Sequence, residues 1–293
     1  MFNKIVIIEP VYISERGLNE LKKYCLKLEI YDSAPQSEAQ IIERIGDADC
    51  VLAALNTSIS KNVLDNCPNI KFIQLCCSYY GPKYCKTDIE YATSKGIKFA
   101  SLTDYGDNGV IECAIASVIN LQHGIGGKKW RNEAHELTAL KVGILGMGDV
   151  GKKVASAFCS FGAKVYYYSK TRKPQLDDTL TYLPLDDLLS TVDVLTIHLN
   201  RDVCLIGGDK LEKFGNGKIL INTSIGRCYE IVSLKKWLGG ENNYYVCDKL
   251  SLNDDYDLLS CDNVIYVDHG CGVTVEALER ASNQIVSHIK SNC

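Results

Sequence analysis

Residues 142–151 read VGILGMGDVG, an apolar run that leads into three glycines with the spacing G-x-G-x-x-G. The spacing alone is common in proteins. Here it follows a strand-like apolar run, 141–145, and opens an amphipathic stretch, 149–160, that has the period of a helix. A strand, a glycine-rich turn and a helix in this order predict a parallel α/β unit that binds a dinucleotide.

Each glycine of this turn has a separate task in such a unit. Gly146 permits the tight turn, Gly148 lets the backbone approach a pyrophosphate, and Gly151 lets the helix and the strand pack closely. The first helical N–H groups, at Asp149 and Val150, then face the phosphates with the positive end of the helix dipole. We therefore expect these five residues to bind the cofactor.

The end of the next strand indicates which dinucleotide is bound. A unit specific for NAD carries an Asp or Glu there, which binds the ribose hydroxyls. After the strand 163–168 this chain has no carboxylate but two hydroxyls and three cations, in residues 169–173. Such groups suit a dianionic 2′-phosphate. The sequence predicts NADP(H) as the preferred cofactor, with NAD(H) possible, bound by Ser169, Lys170, Thr171 and Arg172.

The same alternation of strands and helices extends over the whole chain and predicts an α/β fold with two doubly wound, Rossmann-like domains. The apolar helix 109–123 separates two such series, and the last helix begins at 273 and returns to the first. The predicted domains are 1–103 plus 273–293, and 104–272. Within the first we expect strands at residues 4–8, 50–54, 70–74 and 98–101.

Composition excludes several other classes of protein. The 293 residues are 46% hydrophobic and 23% charged with a net charge of −4, so neither disorder nor a nucleic-acid partner is indicated. The N-terminus lacks a signal peptide and no apolar run is long enough to span a membrane. Without a C-x-x-C pair, we predict no metal site and interpret the fourteen cysteines as reduced thiols of a cytoplasmic protein.

Several segments together resemble the D-isomer-specific 2-hydroxyacid dehydrogenases. They follow the order and nearly the spacing of that family's motifs; they are residues 87–97, 110–112, 136–151, 185–199, 221–224, Asp248 and residues 269–272. The resemblance implies an enzyme whose cofactor domain is inserted in its substrate domain, with a small-molecule substrate in the cleft and a homodimer formed through helix 109–123. It adds further cofactor-binding residues, namely His198, Asn200, Thr223, Ser224, Ile225, Asp248, His269 and Gly272.

The family's catalytic set is an Arg, a Glu and a His, and only the His is matched here. His269 takes the place of the general acid–base. The Arg position is Ile225, and the expected substitute is Arg227, two residues on. The Glu position is Asn253, and Asp254 beside it is the expected substitute. Asp268 replaces the proline that the family has before its His.

The loop that meets the substrate carboxylate in the family corresponds here to residues 77–81, that is Cys77, Ser78, Tyr79, Tyr80 and Gly81. Three functions follow from the resemblance and its departures. The first is an NADPH-dependent reductase of a small carbonyl compound, a 2-oxo acid or a derivative. The second is a reductase of a C=N or activated C=C group, which suits the missing Arg. The third is an inactive nucleotide-binding sensor.

Overall fold

The computed structural model describes residues 1–54, 57–201 and 203–293. These residues form two units, each with its own parallel sheet. Unit 1 comprises Met1–Tyr105 together with Thr274–Cys293, and unit 2 comprises Gly106–Val273. The chain therefore leaves unit 1 after its fifth strand, builds the whole of unit 2, and returns for one last helix.

The strands and helices are numbered in chain order. The strands are β1 Phe2–Ile7, β2 Cys25–Ile30, β3 Cys50–Ala53, β4 Phe72–Leu75, β5 Lys98–Ser101, β6 Lys141–Leu145, β7 Lys164–Tyr168, β8 Thr181–Tyr182, β9 Val194–Ile197, β10 Ile219–Asn222, β11 Tyr244–Asp248 and β12 Val264–Val267. The helices are α1 Glu15–Leu21, α2 Glu38–Ile45, α3 Lys61–Asn66, α4 Ile89–Ser94, α5 Asp107–His123, α6 Asp149–Ser160, α7 Leu185–Thr191, α8 Gly208–Phe214, α9 Ile231–Leu238, α10 Lys249–Leu252 and α11 Val275–Ser291.

The sheet of unit 1 has the strand order β2-β1-β3-β4-β5, and all its pairings are parallel. β3 and β4 are buried along their whole length, as expected of strands covered by helices on both faces. β2 lies at the edge and exposes several of its residues. The sequence prediction omitted β2, because CLKLEI carries two charged residues and lacks the continuous apolar run of a buried strand.

The sheet of unit 2 has the order β12-β11-β10-β9-β6-β7-β8, again with every pairing parallel. The chain winds outward from β6 through β7 to β8, then restarts from β9 on the other side of β6. This reversal creates a crevice at the carboxyl ends of β6 and β9, which is where doubly wound sheets bind their ligands. The prediction of two doubly wound α/β domains is confirmed.

Two hydrophobic cores cover the two faces of the unit 2 sheet. One lies under α5 and α6 and includes Trp130 and Phe158, and the other lies under α7, α8 and α9 and includes Trp237. β6 is thereby buried from Val142 to Leu145, so the turn after β6 is held on a buried strand. In the described ranges no helix is long and apolar enough to cross a membrane.

Candidate active site

The glycine turn, residues 146–151, has the geometry that a dinucleotide requires. Gly146 adopts φ 101°, and a Cβ there would lie 2.2 Å from the carbonyl oxygen of His198. A Cβ on Gly151 would lie 2.0 Å from the carbonyl oxygen of Gly146. Around Gly148, by contrast, a Cβ would meet no described atom within 4 Å. The turn is therefore closed by contact at two glycines and open at the third.

The N-terminus of α6 follows directly and offers its N–H groups. The helices of unit 1 begin with a Ser, Thr or Asp side chain that accepts a hydrogen bond from the first turn, as Ser14 does for α1 and Thr274 for α11. α6 begins at Gly148, which has no side chain, and no described side chain caps it. Its first N–H groups are left for an anion, which the helix dipole also favours.

We expect alanine at Gly148 to weaken cofactor binding and alanine at Gly146 to destabilise the fold. Gly148→Ala should fold normally, because its φ of −81° suits alanine. Its NADPH affinity should still fall at least about tenfold, since the methyl group would occupy space that the pyrophosphate needs. Gly146→Ala should destabilise the protein, by about 1–3 kcal/mol for the backbone alone. Thermal unfolding and isothermal titration with NADPH measure both; an unimpaired Kd in Gly148→Ala contradicts the assignment.

The basic loop, residues 169–173, follows β7 at the same edge of the sheet. Ser169 is half-buried and its hydroxyl donates to the carbonyl of Thr171 at 2.7 Å. Arg172 is exposed, pairs with Asp177 at 2.7 Å and lies 5.8 Å from the ring centroid of Tyr182. An exposed pair of this kind contributes about 0–1 kcal/mol, so Arg172 can exchange Asp177 for a phosphate. Lys170 and Thr171 are exposed beside it.

Ser224, which follows β10, is hydrogen-bonded to the end of the neighbouring strand β9. Its hydroxyl donates to the carbonyl of Ile197 and accepts from the N–H of Leu199, each at 3.0 Å, which links β9 to the loop after β10. Nearby, Asn222 Nδ2 and Thr223 Oγ1 are buried without a hydrogen-bond partner among the described residues. Buried polar atoms normally have partners. These two atoms, with the open Gly148 and the uncapped α6, fit a polar ligand laid along the carboxyl edge of the sheet.

His198 closes this edge behind Gly146. Its Nε2 lies 2.9 Å from the hydroxyl of Thr196, and burial lowers its pKa to about 4, so the imidazole is neutral at physiological pH. Asn200 is exposed two residues further on. A neutral His198 presents its carbonyl to the glycine turn without adding a charge beside it.

The low pKa of His198 makes stability depend on pH in a defined window. In the unfolded chain His198 takes up a proton below its ordinary pKa of 6.5, whereas in the folded chain it stays neutral until about pH 4. The contribution of neutral His198 to the free energy of unfolding is complete above pH 6.5. It is lost as the pH falls toward 4, by up to about 3 kcal/mol. We expect His198→Gln to flatten denaturant-unfolding free energies between these values, and the exposed-site control His123→Gln to leave them unchanged. Equal slopes in all three proteins contradict the burial of His198.

Asp248 positions the segment that carries His269. The carboxylate is buried, and its Oδ1 accepts the N–H of Ser251 at 2.8 Å, which caps α10. Its Oδ2 accepts the N–H of Cys271 at 2.7 Å. The N–H of Lys249 also donates to the carbonyl of His269 at 3.4 Å. The His269 loop, residues 268–273, is therefore fixed to the end of β11 and the start of α10 by hydrogen bonds at His269 and at Cys271.

Within this loop His269 is accessible. Its side chain is 57% exposed, and Nδ1 lies 3.2 Å from the carboxylate of Asp268, the residue at the family's proline position. With Nδ1 paired in this way, Nε2 is the nitrogen available to a ligand. Gly272 approaches Gly106 so closely that a Cβ on Gly106 would lie 2.7 Å from its carbonyl oxygen.

The two expected substitutes for the missing catalytic residues are not placed alike. Arg227 makes a bidentate ion pair with Asp255, through Nε at 2.8 Å and through Nη2, and Asp255 is largely buried. The hydrogen bond to Asp255 raises the pKa of the Arg227 guanidinium. Asp254 is exposed and has the left-handed φ of 65°. Ile225 presents an apolar side chain that is 42% exposed.

In unit 1 the tyrosine loop, residues 77–81, follows the carboxyl end of β4. Tyr79 packs edge-on against Phe99 with centroids 5.5 Å apart, while Tyr80 is 60% exposed. Burial raises the pKa of the Cys77 thiol to about 12, so it remains protonated. Ser78 is half-buried, and Gly81 adopts φ 102° at the start of the next turn.

Sequence reasoning missed the residues that hold these groups in place. Asp255 lies 28 residues from Arg227, and Ser251 and Asn222 were not singled out. The one available signal was the position of Asn222 within residues 221–224, one of the segments that carry the family resemblance. No group of three His, Cys, Asp or Glu side chains in the described part of the chain is arranged to hold a metal ion.

The doubly wound sheet, the glycine turn and the uncapped helix together define a dinucleotide-dependent α/β oxidoreductase. Residues 114–270, more than half of the chain, match the model of the D-isomer specific 2-hydroxyacid dehydrogenase, NAD binding domain. The chain belongs to this family, as the motifs had indicated, and uses a nicotinamide cofactor.

Three comparisons illustrate the relationship. A glyoxylate reductase of Korarchaeum cryptofilum is 26% identical, over 94% of this chain and 89% of its own. The structure of an Aquifex aeolicus D-lactate dehydrogenase with NAD and lactic acid has a TM-score of 0.74 at 21% identity, covering 99% and 95% of the two chains. An acyclic imino acid reductase with NADPH and D-Arg has a TM-score of 0.78 at 20% identity, covering 98% and 96%.

Proposed function

We propose that this protein is an NADP(H)-dependent reductase of a small carbonyl compound, a 2-oxo acid or a derivative, with His269 as general acid–base. The observation that carries the proposal is the placement of His269. It follows β12 at the same carboxyl edge of one sheet that carries the glycine turn after β6. The residues for cofactor binding and an accessible proton donor thus share one rigid sheet.

A cofactor held by the glycine turn would supply the hydride for the carbonyl carbon. The chain's task is to protonate the oxygen, and His269 Nε2 is the atom that holds the proton, since Nδ1 faces Asp268. We propose that Asp268 takes over from the missing Glu as the carboxylate that orients the imidazole. Proton donation by a positioned side chain contributes about 10²–10⁴-fold to the rate. In the reverse reaction, the oxidation of the hydroxyl compound, Nε2 accepts the hydroxyl proton.

The preference for NADP(H) rests on the basic loop. Residues 169–173, directly after β7, contain no carboxylate, and Ser169, Lys170 and Arg172 offer a hydroxyl and two cations. Arg172 already stands in a bidentate contact with the carboxylate of Asp177, a geometry that a phosphate can replace. We propose that NAD(H) binds at this site with lower affinity.

A second candidate substrate class is favoured by the state of Arg227. Its guanidinium is committed to Asp255, and the family's Arg position holds the apolar Ile225. A site without that cation suits a reacting carbon that is not held by an adjacent carboxylate, as in a C=N or activated C=C group. The imino acid reductase described above shares the fold, which supports the C=N form of this proposal.

A substrate panel tests the two classes. NADPH and NADH consumption would be followed with glyoxylate, pyruvate and larger 2-oxo acids, each with and without a primary amine that forms the imine. Arg227→Ala should change KM for the preferred substrate by less than about threefold while lowering thermal stability, since a held ion pair is being broken. A steep rise of KM in Arg227→Ala, with the fold intact, would assign carboxylate binding to Arg227 and favour the 2-oxo acid class. Absence of turnover with every compound contradicts both.

We further propose a cytoplasmic homodimer whose tyrosine loop, residues 77–81, contacts the substrate. The fourteen free cysteines support a reducing compartment.

Half-exposed apolar residues on α5, namely Val110, Ile111 and Ile119, support its use as a subunit contact. Sedimentation equilibrium measures the subunit number, and a monomer at micromolar concentration contradicts the dimer.

A further inference from the structure

Two cysteines that are 158 residues apart in sequence meet where the His269 loop packs against α5. Sγ of Cys113, in α5, lies 2.6 Å from Sγ of Cys271, and both are free thiols. A covalent disulfide has an S–S distance of about 2.0 Å. We propose that Cys113 and Cys271 form a redox modification site, which an oxidant of the peroxide class converts into a disulfide within one chain.

The backbone on both sides keeps the sulfur atoms together. Cys271 is 3% exposed, and its N–H donates to the buried Asp248 at 2.7 Å. Cys113 lies in a regular helix of 17 residues, where its carbonyl accepts the hydroxyl of Ser117 at 2.7 Å. Neither residue sits on a free loop, so the meeting of the two thiols follows from the packing of α5 against the His269 loop within unit 2.

The two thiols are also chemically unequal, as an oxidisable pair requires. Cys113 is half-buried, and a hydrogen bond from Cys271 lowers its thiol pKa, whereas the same contact and burial raise the pKa of Cys271. The thiolate is the nucleophile toward peroxide. Cys113, the more exposed of the two, is therefore the thiol that reacts with peroxide first, and Cys271 is the resolving thiol.

The chemistry balances with hydrogen peroxide as oxidant. The Cys113 thiolate attacks one peroxide oxygen, the O–O bond breaks, and the leaving hydroxide takes up a proton to become water. The sulfenic acid on Cys113 is then attacked by the Cys271 sulfur, which loses its proton as the S–O bond breaks and a second water leaves. Two thiols lose two electrons and two protons, and the peroxide is reduced to two molecules of water.

The bond would act on the histidine. Cys271 lies two residues after His269, and Gly272 already contacts Gly106 at the start of α5. Joining Cys271 to Cys113 would tie the His269 loop to α5 at a second point and restrict its adjustment during turnover. This consequence rests on the proposed function, while the formation of the disulfide does not.

Disulfide mapping tests the site itself. Reduced protein would be freed of dithiothreitol, treated with hydrogen peroxide, alkylated and digested, and the peptides identified by mass spectrometry. We expect one linked pair of peptides, Cys113 with Cys271, and a thermal midpoint raised by roughly 5 °C, because a cross-link between distant residues restricts the unfolded chain. The exposed-thiol control Cys159→Ser should give the same link. Alkylated Cys113 and Cys271 after other cysteines have oxidised, or a link only between chains, overturns the proposal.

Kinetics test the consequence separately. Oxidised protein should turn over at least about fivefold more slowly than reduced protein, and dithiothreitol should restore the rate. Cys113→Ser and Cys113→Ala should each turn over at the rate of the reduced unmodified protein, and peroxide should not slow them. Two variants are used so that a folding defect in one does not decide the result. A mapped disulfide with an unchanged rate removes the effect on His269. A protein that shows no turnover at all still gives the mapping result, so the two proposals fail independently.

Discussion

His269→Ala is expected to lower kcat by about 10²–10⁴-fold, because the variant has no side chain at this position to protonate the substrate oxygen. The Kd for NADPH should change little, since the glycine turn and the basic loop, which we propose as the phosphate-binding groups, are unaffected. Stopped-flow oxidation of NADPH and isothermal titration measure the two quantities on one preparation.

Asp268→Asn is the matched variant for this prediction. It keeps the size of the side chain 3.2 Å from His269 Nδ1 but removes the charge. We expect a smaller loss of kcat than in His269→Ala, together with a displaced pH–rate profile, which a purely structural role would not produce. Full activity in His269→Ala would transfer proton donation to Asp254, Tyr79, Tyr80 or water.

The second large effect concerns the cofactor. Ser169→Asp combined with Arg172→Ala should change the ratio of kcat/KM for NADPH over NADH at least tenfold toward NADH, since one charged hydrogen bond is worth about 1.5–3 kcal/mol. The new carboxylate would accept from the ribose hydroxyls, and the loss of Arg172 would remove a cation from the 2′-phosphate. Loss of Arg172 also frees the carboxylate of Asp177, which adds repulsion toward that phosphate.

Lys164→Ala provides the control, because Lys164 is an exposed cation at the opposite end of the same strand. It should leave the ratio unchanged. Asp177→Asn should raise NADPH affinity by releasing Arg172 from its ion pair. Equal affinity of the unmodified protein for NADH and NADPH would contradict the assignment of the basic loop.

The cofactor unit was the most predictable part of the molecule. Gly146, Gly148 and Gly151 act through backbone geometry, which a local motif determines, and the strand before them and the helix after them lie where the apolar periodicity put them. The edge strand β2 was not predicted because it pairs with a strand on one side only and therefore exposes several of its residues. α8 was also missed, since its seven residues GDKLEKF contain only two buried apolar side chains.

The candidate site was less predictable because its support comes from distant residues. Nothing in the sequence pairs Arg227 with Asp255, and this ion pair is the observation that favours a substrate not bound by Arg227. Asp248 was predicted only as a cofactor residue, whereas its two oxygens position α10 and the His269 loop. The contact of Cys113 with Cys271 likewise depends on tertiary packing over 158 residues.

Transfer of a labelled hydride tests the central proposal most directly. NADPH carrying deuterium at the transferable position would be incubated with the best compound of the panel, and the product examined by NMR and mass spectrometry. We expect one deuterium on the carbon of the former C=O or C=N group, in a single configuration, with the proton on the heteroatom exchanged from solvent. NADPH that binds tightly but transfers no deuterium to any compound would contradict the account and leave a nucleotide-binding protein without this activity.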